Sequence, residues 1–206
     1  MRSLIPVLFL ILAMSGCALQ NPVQRVAVYD FGPGPVTSVA PAPADRLPVL
    51  QLDVLEGPAA LDSTAMLYRL AYADDQQLRP YSLARWSMTP AQLLRQHFRQ
   101  QLGQRRTLLN PFDSSSPDAF KALVLQIEIE EFSQLFESAD KSSGLLRLRV
   151  MLSRAGPPGG GWLAQRTLTL QQSAATADAP GGVRALAAAA RAAAQELDQW
   201  LTQFER

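Results

Sequence analysis

The sequence predicts a compact α+β domain, a largely antiparallel sheet packed by two main helices behind an apolar leader. Three observations predict it. Residues 121–152 contain two alternating runs that align as a hairpin, with aliphatic side chains on one face and charges on the other. Thr89-Pro90 opens a run of helical periodicity with an explicit start signal, and Val183 to Phe204 repeats apolar residues at helical spacing. A chain of 206 residues, 48% of them hydrophobic, suits one domain with a sizeable core.

Taken in order, Val26 to Phe31 reads as a strand that stops at Gly32-Pro33-Gly34-Pro35, before a Pro-, Ala- and Ser-rich connection to Pro48. Val49 to Leu55 is the next strand, ended by Gly57-Pro58. Met66 to Tyr72 is a third, with Met66, Tyr68, Leu70 and Tyr72 on one face and Leu67, Arg69 and Ala71 on the other. Asp74 to Gln77 supplies polar turn material, and Leu78 to Leu83 returns as a short strand on which Pro80 marks an edge or a bulge. The first helix begins with Thr89 as N-cap, Pro90 at the first position and Gln92 at the third, with Met88 placed to pack on Leu93. Leu94, Phe98 and Leu102 trace its apolar face. Gly103 or Arg105-Arg106 ends it, and the basic pair suits a helix C-terminus.

In the hairpin, Leu123, Leu125, Ile127 and Ile129 face the core with Leu146, Leu148, Val150 and Leu152. A turn centred near residues 138 and 139 pairs Glu128 with Arg149, Glu130 with Arg147, Ile127 with Val150 and Ile129 with Leu148. That register makes the acidic run an ordinary sheet surface. After a Gly- and Pro-rich break, Trp162, Ala164, Leu168 and Leu170 share a face that Arg166 interrupts, at a rim or in a paired cleft. Residues 174–182 lead into the last helix, whose apolar stripe includes Trp200 as a core residue.

The leader carries its own message. Arg2, the apolar run Leu4 to Met14 and the small pair Ser15-Gly16 before Cys17 form a secretory pattern, too short in its apolar core to span a bilayer as a folded helix. Leu12 to Cys17 resembles a bacterial lipobox, which implies a lipoprotein signal peptide over residues 1–16, acylation (a diacylglyceryl or palmitate-type modification) of Cys17, a lipidated tether over 17–25 and a domain over 26–206. Ala18 after the cysteine resembles an outer-membrane sorting signal, which implies a lipid-anchored, periplasm-facing protein. Val26 stands nine positions after Cys17, a reach of about 30 Å. Cys17 is the only cysteine, which excludes an internal disulfide. Without the leader, 18 Lys and Arg balance 18 Asp and Glu, so no nucleic-acid footprint is implied.

No catalytic constellation emerges. Cys17 is consumed by the anchor. His97, the only histidine, reads as a helix-surface or boundary residue, and no serine stands in a nucleophile motif. Asp74-Asp75 suits a turn. No phosphate loop or cysteine–histidine metal pattern is present, so no enzyme, cofactor or metal site is expected.

Leu52-Asp53-Val54, Leu61-Asp62-Ser63, Met66 to Leu70, Tyr72, Leu78 to Tyr81, Arg85-Trp86 and Pro90 to Leu94 follow one another in an order that resembles the ABC-type transport auxiliary lipoprotein family, including its PqiC-like lipoproteins. The resemblance implies a compact α/β domain with an antiparallel sheet and packed helices. It also implies a non-catalytic accessory of an envelope lipid transport system, working with an MCE-domain protein, an ABC permease and an ATPase; a homo-oligomeric collar is one assembly it allows. Tyr68-Arg69 and Arg85-Trp86 match family elements, whereas Ala60 and Ala84 stand where the family often has tryptophan and serine. Arg85 and Trp86 are the candidate partner contact, with packing of Trp86 against the sheet as the structural alternative. The competing function is an envelope-assembly lipoprotein that binds a cell-wall synthase; a neighbouring synthase gene would favour it, and neighbouring MCE, permease and ATPase genes would favour transport.

Overall fold

The strictest alternation in the sequence becomes the longest ladder of the fold. The computed structural model describes residues 24–34, 47–55, 57–109, 121–156 and 161–205. Its strands are β1 (Ala27–Tyr29), β2 (Leu50–Leu55), β3 (Ala65–Leu70), β4 (Asp74–Trp86), β5 (Leu108–Leu109), β6 (Leu123–Phe136), β7 (Ser142–Arg154) and β8 (Trp162–Ser173). The helices are α1 (Pro90–Leu102) and α2 (Ala179–Leu201). Antiparallel pairing carries the long ladders β6–β7, β7–β8 and β3–β4, while β1–β4, β2–β6, β3–β6 and β2–β5 are parallel.

β6 organises the sheet. Along one edge it pairs with β7 throughout; its other edge is shared end to end, with β2 opposite Leu123 to Glu128 and β3 opposite Gln134 to Phe136. At this fork Gly57 lies so close to β6 that a Cβ would sit 2.0 Å from the carbonyl oxygen of Ile129.

The predicted register holds for Ile127–Val150, Glu128–Arg149 and Ile129–Leu148. It then slips at a bulge, so Arg147 faces Glu131 instead of Glu130. The reason is packing: Phe132 is 1% exposed, which requires one extra residue between Ile129 and the next inward slot. Glu130 contacts Arg149 at 2.6 Å, and Glu131 is taken by Arg69.

Other expectations shift for comparable reasons. β4 starts at Asp74, so Asp74 to Gln77 are strand residues and the turn falls at Ala71–Ala73. Register shifts in β3–β4 bury both Met66 and Leu67 and leave Tyr72 outside the strand and exposed, which breaks the expected division of faces. Pro80 lies on a stretch of β4 with no outer neighbour among the described residues, where its missing N–H costs no ladder bond. α2 starts at Ala179, earlier than the apolar stripe indicates, because Asp178 caps it and Pro180 suits its first turn.

α1 keeps its expected start: Gln92 N–H donates to Thr89 Oγ1 at 3.4 Å and Thr89 N–H donates to Gln92 Oε1 at 3.1 Å. Both helices pack on the same side of the sheet, and their apolar stripes join Leu125, Ile127, Ile129, Leu148 and Val150 in one core. Trp200 is buried there, and Arg166 sits at the rim, paired with Glu196 and placed over the Trp200 ring at 5.8 Å. Trp162 departs from its expected face and is 67% exposed at the start of β8. Among the described residues no helix is long and apolar enough to cross a membrane.

Candidate functional site

Alternation along the end of β4 divides the candidate contact pair. Ala84 and Trp86 point inward and are buried, while Arg85 points outward and is exposed. The backbone fixes this division: Trp86 N–H donates to Thr64 O at 2.8 Å, and Ser87 N–H donates to Tyr29 O at 2.7 Å. The Trp86 ring lies 5.4 Å from Phe132 and 5.9 Å, edge-on, from Phe31, centroid to centroid. Trp86 is thus part of an aromatic cluster joining β4, β6 and the loop after β1, and through Phe31 it extends to α1. Only Arg85 reaches solvent.

Phe31 also meets His97 edge-on at 5.7 Å. His97 is buried, contrary to the surface position its sequence context suggests; the edge of Phe31 and the loop after β1 cover that turn of α1. Burial, with Arg191 as a lesser influence, pushes its pKa from 6.5 down to about 4, and its Nε2 has no hydrogen-bond partner among the described residues. Asp30, Phe31, Gly32, Leu93, Gln96 and Gln100 surround it in a shallow depression. Among the described residues none hydrogen-bonds this imidazole through Nε2 and no hydroxyl or thiol side chain lines the depression, so the arrangement they form lacks the base–orienter geometry of an acid–base site. No group of three or more His, Cys, Asp or Glu able to hold a metal occurs among the described residues.

The Tyr68-Arg69 element joins two strands. Arg69 binds Glu131 through two bonds, Nη2 at 2.9 Å and Nε at 3.2 Å, and donates from Nη1 to the carbonyls of Asp75 and Gln76. Tyr68 packs on Tyr81 at 4.7 Å. Tyr81 donates to Gln134 Oε1 at 2.9 Å, and Gln134 Nε2 donates to Ser142 Oγ and Asp178 O. Burial raises the Tyr81 phenol, so it stays a donor. This buried network fixes the start of α2, and sequence reading missed it. The available signal was Glu131, polar in an inward slot of the alternation, followed by Phe132 in an outward one.

A family model described as "ABC-type transport auxiliary lipoprotein component" matches residues 29–198, a span that takes in Tyr68-Arg69, Arg85-Trp86, α1, all of α2 but its last turn, and every strand but most of β1. The chain belongs to that family. The auxiliary lipoprotein is accordingly a non-catalytic component of an ABC-type transport system. A crystal structure of a protein from Xanthomonas campestris is similar at a TM-score of 0.64 and 17% identity, covering 85% of this chain and 94% of that one. A crystal structure of an uncharacterized protein is similar at 0.60 and 14%, covering 86% and 99%. Both likenesses concern the fold of the auxiliary lipoprotein. No curated protein matches it. Cys17 and the leader lie outside the described residues.

Proposed function

We propose that this chain is a lipid-anchored accessory of an MCE-type envelope lipid transport system, held at the outer membrane by acyl chains on Cys17 and facing the periplasm. The family match over residues 29–198 carries the transport class, and the lipobox-like Leu12 to Cys17 supplies the anchor. Cleavage before Cys17 leaves residues 17–25 as the tether of the domain from residue 26. The chain contributes position and contact, and the ATPase is a separate subunit that acts with a permease and an MCE-domain protein. Of the Arg85-Trp86 element, Arg85 is the part exposed for contact and Trp86 its buried support, and the subunits of the transporter are met elsewhere on the domain.

Affinity purification from cross-linked native envelopes, with Cys17 lipidation preserved, tests the reading. Recovery of an MCE-domain protein with its permease and ATPase is the expected result. Recovery of a cell-wall synthase without transport subunits would overturn it in favour of an envelope-assembly role.

A further inference from the structure

We propose that the outward face of β1 and the end of β4 is a docking surface for an anionic lipid bilayer. The inference rests on the anchoring role of Cys17 proposed above. Parallel pairing of Ala27 with Ala84 and Val28 with Arg85 sets Val26 beside Leu83 and Val28 beside Arg85. Val26, Val28 and Leu83 are 39%, 54% and 41% exposed, so three of the five large hydrophobic side chains exposed among the described residues gather on one small face. Arg25 and Arg85 are exposed at its margins, and neither has a hydrogen-bond or ion-pair partner among the described residues. No Asp or Glu occurs in β1 or at positions 78–86. Asp30, just beyond β1, turns back to accept from Gly32 N–H at 2.7 Å.

Aliphatic side chains framed by free guanidiniums match the boundary between acyl chains and anionic headgroups, where arginine stems lie along apolar surface and their heads meet phosphate. Chain length selects this occupant. Val26 lies nine positions after Cys17, so an acylated Cys17 holds the patch within about 30 Å of the bilayer. At that distance the local concentration of membrane makes a weak surface affinity sufficient. Docking would lay the edge strand β1 against the membrane and turn the helices and β8 away from the tether side.

The test uses the acylated mature protein on phosphatidylglycerol–phosphatidylethanolamine vesicles, with a nitroxide at Val28→Cys or, as a control, Trp162→Cys. Cys17 sulfur is a thioether in this form, so the introduced thiol is the one labelled. The Val28 nitroxide is expected to be several-fold less accessible to an aqueous nickel chelate than the control. Arg25→Glu with Arg85→Glu should lower the docked-to-undocked ratio about ten-fold or more, judged against an unchanged circular dichroism spectrum. Equal accessibility at the two positions overturns the proposal, as does shielding unaffected by the charge reversals. Shielding of the same nitroxide in the vesicle-free Cys17→Ser chain would show that the chain covers its own patch. Shielding found only in native envelopes would assign the face to a protein; either result overturns bilayer docking. Absence of a diacylglyceryl thioether on Cys17 in cells would instead defeat the anchoring reading, and mass spectrometry of the mature N-terminus separates that failure from the others.

Discussion

His97 is an imidazole enclosed by Phe31 and Leu93, with no partner on Nε2 among the described residues. Its folded pKa of about 4 lies below the ordinary 6.5. Between those values the unfolded chain binds a proton that the folded chain does not, so stability falls as pH drops through that window and levels off below it. Urea melts of wild type and His97→Leu, run from pH 7 to pH 4, should show a shallower decline for the variant. The lowered carboxyls of Glu137, Asp140 and Asp178 contribute equally to both proteins and fail at more acid pH. A second residue-scale expectation concerns the hairpin. Ile127 and Leu148 are fully buried, and truncating either to Ala should cost about 2–5 kcal/mol through lost transfer energy and the cavity left behind. Glu128→Gln should cost about 0.2–1 kcal/mol, since Glu128 and Arg149 form a solvent-exposed pair at 3.6 Å. The core positions were legible because alternation marks them directly. Packing of Trp86 on the sheet was one of the two readings its position allowed; the burial of His97 was not legible, since it depends on Phe31, which reaches it from the loop after β1, far away in the sequence.

At the scale of elements, the helices show two kinds of attachment. The end of α1 is tied to the end of α2 by Arg106, whose side chain is 1% exposed and lies 2.8 Å from both Asp198 and Glu205; Arg105 adds a contact to Asp198 at 2.5 Å. The basic pair thus serves the neighbouring helix more than the dipole of its own. Arg106→Ala would strip the largely covered Glu205 of its cation and leave Asp198 with the solvated Arg105 alone, and should cost about 3 kcal/mol by urea denaturation, whereas Arg105→Ala, at a solvated position, should cost under about 1 kcal/mol. The start of α2 is attached by close backbone approach. A Cβ on Gly144 would stand 2.6 Å from Leu186 N, so Gly144→Ala must push the helix off β7 and should destabilise by about 1–3 kcal/mol. Sequence gave the start of α1 to the residue because a capping box is a local device. It placed β4 poorly because Asp74 to Gln77 are turn-forming types that become strand only through pairing with β3, aided by the reach of Arg69 to the carbonyls of Asp75 and Gln76.

For the whole molecule, the anchor decides where the domain is. A Cys17→Ser precursor should lose acyl labelling and lipoprotein processing, and the wild-type mature protein should fractionate with outer-membrane markers; retained labelling in the variant, or inner-membrane fractionation of the wild type, would contradict the two parts of that reading. Family and fold class were legible from the ordered motifs and the two periodicities. The sharing of β6 between β2 and β3 was not, because parallel pairing across long connections leaves no local mark. The alanine-rich contact of α2 bears on how the whole chain reaches its final form. Ala185, Ala187, Ala189, Ala190, Ala193 and Ala194 are buried, and none has a side-chain rotor to freeze on docking. Alanine also has the highest intrinsic helix preference. The segment can therefore fluctuate into helix before it meets the sheet, and its docking forfeits little side-chain entropy in return for a modest buried area. A synthetic peptide of residues 178–205 should show measurable helical circular dichroism in cold water, while one of residues 89–103, shorter and poorer in alanine, should show almost none.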